Sequence, residues 1–447
     1  MISYEQLLIL VTLSSVTLMA LATIVLKRLG RRYDFIPIYI AVATTLVQMA
    51  IALSIRGLTG LVGVVSALVS LISEGYIISI RRYIYTPRKV LISMLLVLFN
   101  SLTMLVVLAT TTQVNDIIKL FIYWEGLSYA TIAALNIRHT REEYEATMKY
   151  VLVCVIGSLI ALIGIVLSVA ECDSTSITAI LDRASVPSKM FIVIGFLTEA
   201  AVFPFYFWVP DADVSMLSTL AIMHMGAITP VATYVAGLFA YNGGELIRNL
   251  VSALSILTAF IGSLASLFQS DFRRLLAYST VAHMNYLVLA FTNNVVDYGA
   301  LHILAHALSK VPIFLIAYTI LEMMQVREVR YIYLWDNNLA KYVVVASSLG
   351  LLGLPPFLTF WSELFIFLKI FALGNIFHVY AALFFIVIIV STGYAFKIIY
   401  SCAKKSEGDK DKMRIQNPTA ALLILTAASS ASIILFMLQS YIISYFF

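Results

Sequence analysis

Charge is scarce in this chain. Acidic and basic residues number 24 and 29 among 447, or 12% together, while 61% of residues are hydrophobic. A soluble domain carries about 25% charged residues to cover its surface, so a water-dissolved globule is excluded and lipid is the main solvent. Cysteine is scarce too: Cys154, Cys172 and Cys402 show neither paired nor ligand spacing, which excludes a disulfide framework and an iron–sulfur or cysteine metal site. A glycine-rich phosphate loop after a strand-like run is missing, so nucleotide binding has no support. The net charge of +5 does not read as a nucleic-acid footprint, because the basic residues lie in short loops between apolar runs.

What is abundant is membrane-length apolar sequence. A span takes about 20 such residues, and on that basis the chain holds roughly fourteen helices. They are expected near 6–26, 35–55, 58–80, 90–111, 115–136, 148–169, 189–209, 215–240, 249–269, 275–294, 299–323, 341–370, 374–401 and 417–446. The fold class is therefore all-α and polytopic, a single membrane domain over 1–447. The run at 7–26 is followed by Lys27, Arg28, Arg31 and Arg32 instead of being preceded by positive charge, so it reads as a retained first span and not as a signal peptide.

Loop charge gives the orientation. The odd-numbered loops carry Lys27/Arg28/Arg31/Arg32, Arg81/Arg82/Arg88/Lys89, Arg138/Arg141, Arg273/Arg274, Arg327/Arg330 and Lys404/Lys405/Lys410/Lys412/Arg414. The even loops hold few bases, and the seventh loop breaks the pattern with Asp211, Asp213 and no base. By the positive-inside rule the odd loops face the cytoplasm and both termini face outward across a cell membrane.

Two expected spans contain helix breakers: Pro204 in 189–209, with Pro210 just after, and Pro355-Pro356 in 341–370. Proline removes a helical donor and clashes with the preceding turn. If 1–89 holds helices 1–3, 90–240 a first repeat (helices 4–8), 249–401 an inverted second repeat (helices 9–13) and 417–446 the last helix, the broken helices fall fourth in each repeat. Matched interruptions in inverted repeats point to a translocation site; the alternative is an incidental pair of proline kinks.

Ionisable residues interrupt several of these runs. Glu125 lies inside Leu120-Phe-Ile-Tyr-Trp-Glu125-Gly-Leu-Ser, at a depth where a charge costs about 2.5–3.5 kcal/mol. An ion or proton site is one reading, a structural glutamate bonded to a neighbouring helix the other. Glu199 stands five residues before Pro204, where a broken helix frees carbonyls and makes room for water. Facing Glu125, it could not ionise together with it, and the two would share a proton. His302, His306 and Lys310 recur every four residues, one polar stripe on an apolar helix that could relay protons. Metal binding by the two histidines is the rival, disfavoured because that helix brings no carboxylate or cysteine at ligand spacing. Glu363 follows the double proline by seven residues and reads as an exit-side group or a helix-start carboxylate. His224 is a weaker candidate, His283 is expected inside its span, His139 and His378 are peripheral, and Glu74, Lys119, Lys369 and Lys397 are expected to snorkel near helix ends.

Several stretches together resemble a known family. Tyr123-Trp-Glu125, Glu145-Ala-Thr-Met-Lys149-Tyr150, Val202-Phe-Pro-Phe-Tyr-Phe-Trp208-Val-Pro-Asp211-Ala, Ser270-Asp-Phe-Arg-Arg-Leu-Leu-Ala-Tyr-Ser279, the His302/His306/Lys310 stripe and Gly353-Leu-Pro-Pro…Glu363 are similar to motifs of the antiporter-like membrane subunits. These subunits occur in respiratory complex I, membrane-bound hydrogenases and multisubunit cation/proton antiporters. Within that group the chain looks most like the subunit 4 type of NADH:quinone oxidoreductase, whose twelfth helix carries a glutamate. The resemblance gives Glu125, Lys310 and Glu363 proton-path roles and His302 and His306 relay roles. It also implies a chain without a redox cofactor of its own, working beside other membrane subunits in a complex whose partner subunits carry the redox centres.

Two departures stand out. Glu199 occupies the position of the lysine that pairs with the fifth-helix glutamate in the family, and Pro230 aligns with a second lysine expected in the eighth helix. A Glu/Lys pair can move a proton by switching between ion pair and neutral pair; a Glu/Glu pair cannot keep that charge balance. The uptake half is then dead, runs on His224, or is retuned for another ion. The expected function is a proton-translocating membrane subunit of a redox-driven NADH:quinone oxidoreductase-like assembly. A non-conducting scaffold paralogue and a cation/proton antiporter subunit, carrying protons or sodium without redox chemistry, are the alternatives.

Overall fold

The structure, a computed structural model, describes residues 3–29, 35–80, 88–324, 326–330, 337–403 and 419–447. The side chains of the basic clusters Lys27/Arg28/Arg31/Arg32, Arg81/Arg82 and Lys404/Lys405/Lys410/Lys412/Arg414 lie outside them. Among the described residues there is helix and no strand. Among the described residues, eleven helices are long and apolar enough to cross a bilayer, and each coincides with an expected span. The remaining three expected segments are the Ile117–Leu135 helix, which carries Lys119 and Glu125, and the two proline-interrupted ones.

Local chemistry explains where the helices begin. Asp116 accepts from the amides of Ile118 and Lys119 to start Ile117–Leu135. Thr140 and Glu143 close a capping box before Arg141–Tyr150. Ser185 caps Val186–Glu199, and Asp271 accepts from the amides of Arg273 and Arg274 ahead of Phe272–Thr292.

Both proline segments are broken. The first helix stops at Glu199, Ala201 takes a left-handed conformation (φ 56°), and a short 3₁₀ turn Phe205–Trp208 leads into Val209–Ser215. Backbone groups freed in a membrane need new partners, and the segment's own tryptophan and neighbouring helices supply them. Trp208 Nε1 donates to the Thr198 carbonyl at 3.0 Å, Asn285 Nδ2 to the Ala201 carbonyl at 3.2 Å, and the Phe203 amide to Thr258 Oγ1 at 2.8 Å. The second helix ends at Leu351 and resumes at Leu358, with Gly353 at φ 63° between them.

Exposure sorts the helices into a centre and a rim. Val296–Met323 is enclosed along the whole of its most apolar stretch, Phe272–Thr292 over 94% and Ser218–Tyr241 over 89%, against 22% for Tyr4–Ile24 and 28% for Ile376–Ala403. The rim helices turn large apolar side chains such as Leu13, Leu21, Phe385 and Phe396 outward, as lipid-facing surfaces do. Glycines bring Ile156–Cys172 close against Val186–Glu199: a Cβ on Gly164 would meet the Ser188 carbonyl oxygen at 2.6 Å, and one on Gly195 the Gly157 carbonyl oxygen, also at 2.6 Å.

The loops gather as an alternating chain requires. Arg138, Lys149, Asp211, Arg274 and Arg327, from odd loops and the helix ends beside them, line one polar cleft of about 400 Å³. Arg248, Asn293, Asp297 and Lys369, from even loops, line another of about 260 Å³. Glu74 corrects an expectation: it does not snorkel but is fully buried, accepting from Thr45 Oγ1 at 3.0 Å, because the Ile36–Ser54 helix packs over it.

Candidate functional site

The three most enclosed helices carry His224, His283, and the His302/His306/Lys310 stripe. Burial and polarity coincide where the hydrophobic effect alone would place only apolar groups.

Glu199, the last residue before the first break, is buried. Tyr150 Oη donates to its Oε1 at 2.5 Å, and Ser128 Oγ does so at 3.4 Å. Ser128 lies one turn beyond Glu125 on the same helix. Glu125 itself is half-buried, at the edge of the bundle; its Oε1 is enclosed and has no hydrogen-bond partner among the described residues. Tyr150 packs edge-on against Trp208 (5.2 Å between centroids), and Trp208 against His224 (5.5 Å).

His224 is fully buried, and its Nδ1 lies 3.3 Å from Oδ1 of Asp213, which is buried as completely. This corrects the assignment of Asp213 to a loop. Val209–Ser215 is a helix that tucks against Phe272–Thr292 and takes Asp213 with it. Asp211 does stay near the surface, paired with Lys149 and with Arg274 at 2.7 Å. A signal for Asp213 was present in the sequence: Pro210 suits the first turn of a helix, so it marks a start as well as a break.

Lys310 is also buried, with Nζ donating to the Leu276 carbonyl and to Ser279 Oγ. The stripe does not act as one unit. His302 turns toward His283, with 3.2 Å between its Nε2 and His283 Nδ1, while its Nδ1 lies 2.9 Å from Ser362 Oγ. His283 Nε2 lies 3.0 Å from Tyr394 Oη. The His306 ring is tilted against that of His283, 5.2 Å between centroids, and neither of its nitrogens has a partner among the described residues. Glu363 is buried, with Oε1 at 3.8 Å from His283 Nδ1. His283 is thus the hinge of this cluster. Its signal was the spacing Ser279, His283, Tyr286, one helical face.

His283, His302 and Glu363 place one ligand atom each within 4.8 Å of one another, so these three could hold a metal ion. Reading the stripe's helix alone gave no such set, because two of the three groups come from other helices. His139 and His378 lie apart from both clusters, at Tyr144 and Phe371.

A buried polar atom left without a partner costs about 1–3 kcal/mol unless water meets it. Asp213 Oδ2, His224 Nε2 and both His306 nitrogens are such atoms.

The fold is that of several solved membrane complexes. A chain of the membrane-bound sulfane sulfur reductase, an archaeal respiratory membrane complex, superposes with a TM-score of 0.87 over 99% of this chain and 96% of its own length, at 21% identity. A chain of respiratory complex I from Thermus thermophilus gives 0.78 over 97% and 98%, at 20% identity. One of the Mrp complex from Dietzia gives 0.77 over 99% and 95%, at 17% identity. In sequence, NADH-quinone oxidoreductase subunit N of Deinococcus radiodurans is 28% identical over 271 residues, 56% of this chain and 54% of that protein. Na(+)/H(+) antiporter subunit A1 of Staphylococcus saprophyticus is 26% identical over 280 residues, 56% of this chain and 34% of that protein. The chain thus spans about half the length, or less, of these relatives. The family described as NADH:quinone oxidoreductase/Mrp antiporter, TM, matches residues 114–389, which include both broken helices and Glu125, Glu199, Asp213, His224, His283, His302, His306, Lys310 and Glu363, and the chain belongs to it.

Proposed function

We propose that this chain is a proton-translocating membrane subunit of a redox-driven assembly of the complex I type, lying in the plasma membrane with both termini outside. The observation that carries the reading is the set of buried ionisable side chains: His224, His302, His306 and Lys310 on the most enclosed helices, Glu199 and Glu363 on the two broken ones, and Glu125 at the edge. Buried charge at membrane depth is costly enough that its default explanation is transport. The chain would bind no redox cofactor. Partner subunits would oxidise the donor and reduce quinone, and coupling would change proton affinities along the line.

One observation favours a second reading, the non-conducting scaffold. Glu199 is held by Tyr150 and Ser128 in a fixed hydrogen-bonded seat, and its partner Glu125 is an acid, so the uptake pair cannot switch as a Glu/Lys pair does. The test is proton translocation by the native assembly in sealed vesicles, driven by its own electron donor, with Glu125→Gln as the variant. Loss of proton uptake with electron transfer retained supports conduction; an unchanged proton-to-electron ratio supports the scaffold. Sodium-dependent proton exchange in the absence of any donor would instead identify an antiporter subunit.

A further inference from the structure

The stripe's own helix offers a metal no carboxylate, but two neighbouring helices complete a donor set around His302. His283 comes from Phe272–Thr292 and Glu363 from Leu358–Phe371. His283 Nδ1 stands 3.2 Å from His302 Nε2 and 3.8 Å from Glu363 Oε1, and one ligand atom of each residue lies within 4.8 Å of the others. Zinc holds nitrogen at about 2.0–2.1 Å and carboxylate oxygen at about 2.0–2.2 Å, so neighbouring ligand atoms of a tetrahedral site stand roughly 3.4 Å apart. The first two separations bracket that value. Two histidines and a glutamate are also a donor set that zinc uses with a fourth position open. His306 adjoins the set, its ring 5.2 Å from that of His283 and 6.4 Å from that of His302.

The groups behind the ligands fit as well. A metal-bound histidine keeps its proton on the outer nitrogen, and the hydrogen bond made there selects that tautomer. Ser362 Oγ donates its hydrogen to the Thr359 carbonyl at 2.9 Å. Toward His302 Nδ1, also 2.9 Å away, it is left to accept. That puts the His302 proton on Nδ1 and leaves Nε2 a bare lone pair facing His283. His283 Nε2 lies 3.0 Å from Tyr394 Oη, a hydroxyl that accepts as well as donates. The proton between the two rings can therefore move to His283 Nε2, which frees both inner nitrogens at once. Both rings are fully enclosed, whereas Glu363 keeps 6% of its side chain exposed. Its Oε2 lies against Gly353, beside the exposed Leu354, Pro355 and Pro356 of the second break.

We infer that His283, His302 and Glu363 form a binding site for a divalent transition-metal cation of the zinc class, and that its occupation closes the proton route. Binding stands apart from the proposed proton-translocating function; closure rests on it. The cation takes the two inner lone pairs and the Glu363 carboxylate, and the proton shared by the rings is held on the Tyr394 side. No proton then passes from ring to ring while the metal stays. Imidazole donors suit zinc, copper and nickel, whereas magnesium and calcium take oxygen ligands and should not compete.

The test uses zinc ion alone. The full chain in detergent, first stripped with a chelator, is dialysed against radioactive zinc in excess magnesium. The expected result is one saturable site per chain, weakened about tenfold in Ser362→Ala, which removes only a supporting hydroxyl, and weakened further in His283→Gln, His302→Gln and Glu363→Gln. The proton-to-electron ratio of the native assembly in sealed vesicles should fall over the same range of zinc concentration and recover on chelation. Absence of saturable binding, or equal binding in the three ligand variants, overturns the site and leaves the proposed function standing. Should the ligand variants fail to fold, Ser362→Ala decides: unchanged affinity there overturns the site. Saturable binding with an unaltered ratio overturns closure, and with it a proton route through these two rings.

Discussion

His283 and His302 meet nitrogen to nitrogen, 3.2 Å apart, across two different helices. A contact of this kind requires one ring to donate and the other to accept, so the pair holds a single proton between them in the neutral state. The remaining nitrogens are also engaged, by Tyr394 and Ser362, which fixes both rings in place. Replacing His283 by alanine removes the bridge and strands two buried partners. We expect proton uptake to fall by about 10²-fold, the usual scale for a lost acid–base group, with His283→Gln no better. Vesicle proton uptake measured against donor oxidation checks this; uptake at the wild-type ratio would remove His283 from the route.

Gly353 and Glu363 give a second expectation. The glycine has φ 63° in the break, and a Cβ there would collide with Oε2 of Glu363. Gly353→Ala combines a left-handed backbone that costs about 1–2 kcal/mol with displacement of the carboxylate. Activity should drop as far as in Glu363→Gln while the assembly still forms. Intact turnover in Gly353→Ala would show that the position of Glu363 is not critical.

The glycine contact beneath Glu199 predicts a loss of stability instead. A Cβ on Gly157 would run into the Thr198 hydroxyl, and Gly195 stands against the Gly157 carbonyl. Overpacking such a contact costs about 1–3 kcal/mol. Gly157→Val should therefore lower the thermal unfolding temperature of the detergent-solubilised assembly more than Gly126→Val, whose added carbon would meet only the flexible Leu102 side chain. Equal effects would mean that this helix pair is not held by close approach.

Tyr150 and Glu199 separate structure from function. Glu199→Gln keeps an acceptor for the Tyr150 hydroxyl and should change stability by less than about 1 kcal/mol. Tyr150→Phe leaves the buried carboxyl with Ser128 alone and should cost about 1–3 kcal/mol. Thermal unfolding monitored by tryptophan fluorescence distinguishes them; a neutral Tyr150→Phe would mean the carboxyl finds another donor.

Much of this arrangement was readable along the chain, and the reason is the membrane itself. Lipid forces backbone bonding into helices, so long apolar runs announce the spans, and Pro204 and Pro355-Pro356 announce where they break. The same logic marked Glu199, Lys310 and Glu363 as buried. What the chain order hid was pairing between helices. Helical spacing puts His302, His306 and Lys310 on one stripe, but the partners of His302 and Lys310 come from Phe272–Thr292 and from the second broken helix, which chain order does not tell. Asp213 reads as a loop acid because two aspartates after a proline look solvent-facing; only the tuck of Val209–Ser215 separates buried Asp213 from exposed-side Asp211. Glu125 stands at the edge of the bundle with its Oε1 enclosed, a placement across helices that chain order does not tell.

The central claim is that the buried line from Lys310 to Glu363 carries protons, and the most direct measurement is the proton-to-electron ratio of the native assembly bearing Lys310→Ala or Glu363→Gln. The account predicts that in each variant donor oxidation continues while the ratio falls. An unaltered ratio in both would contradict it.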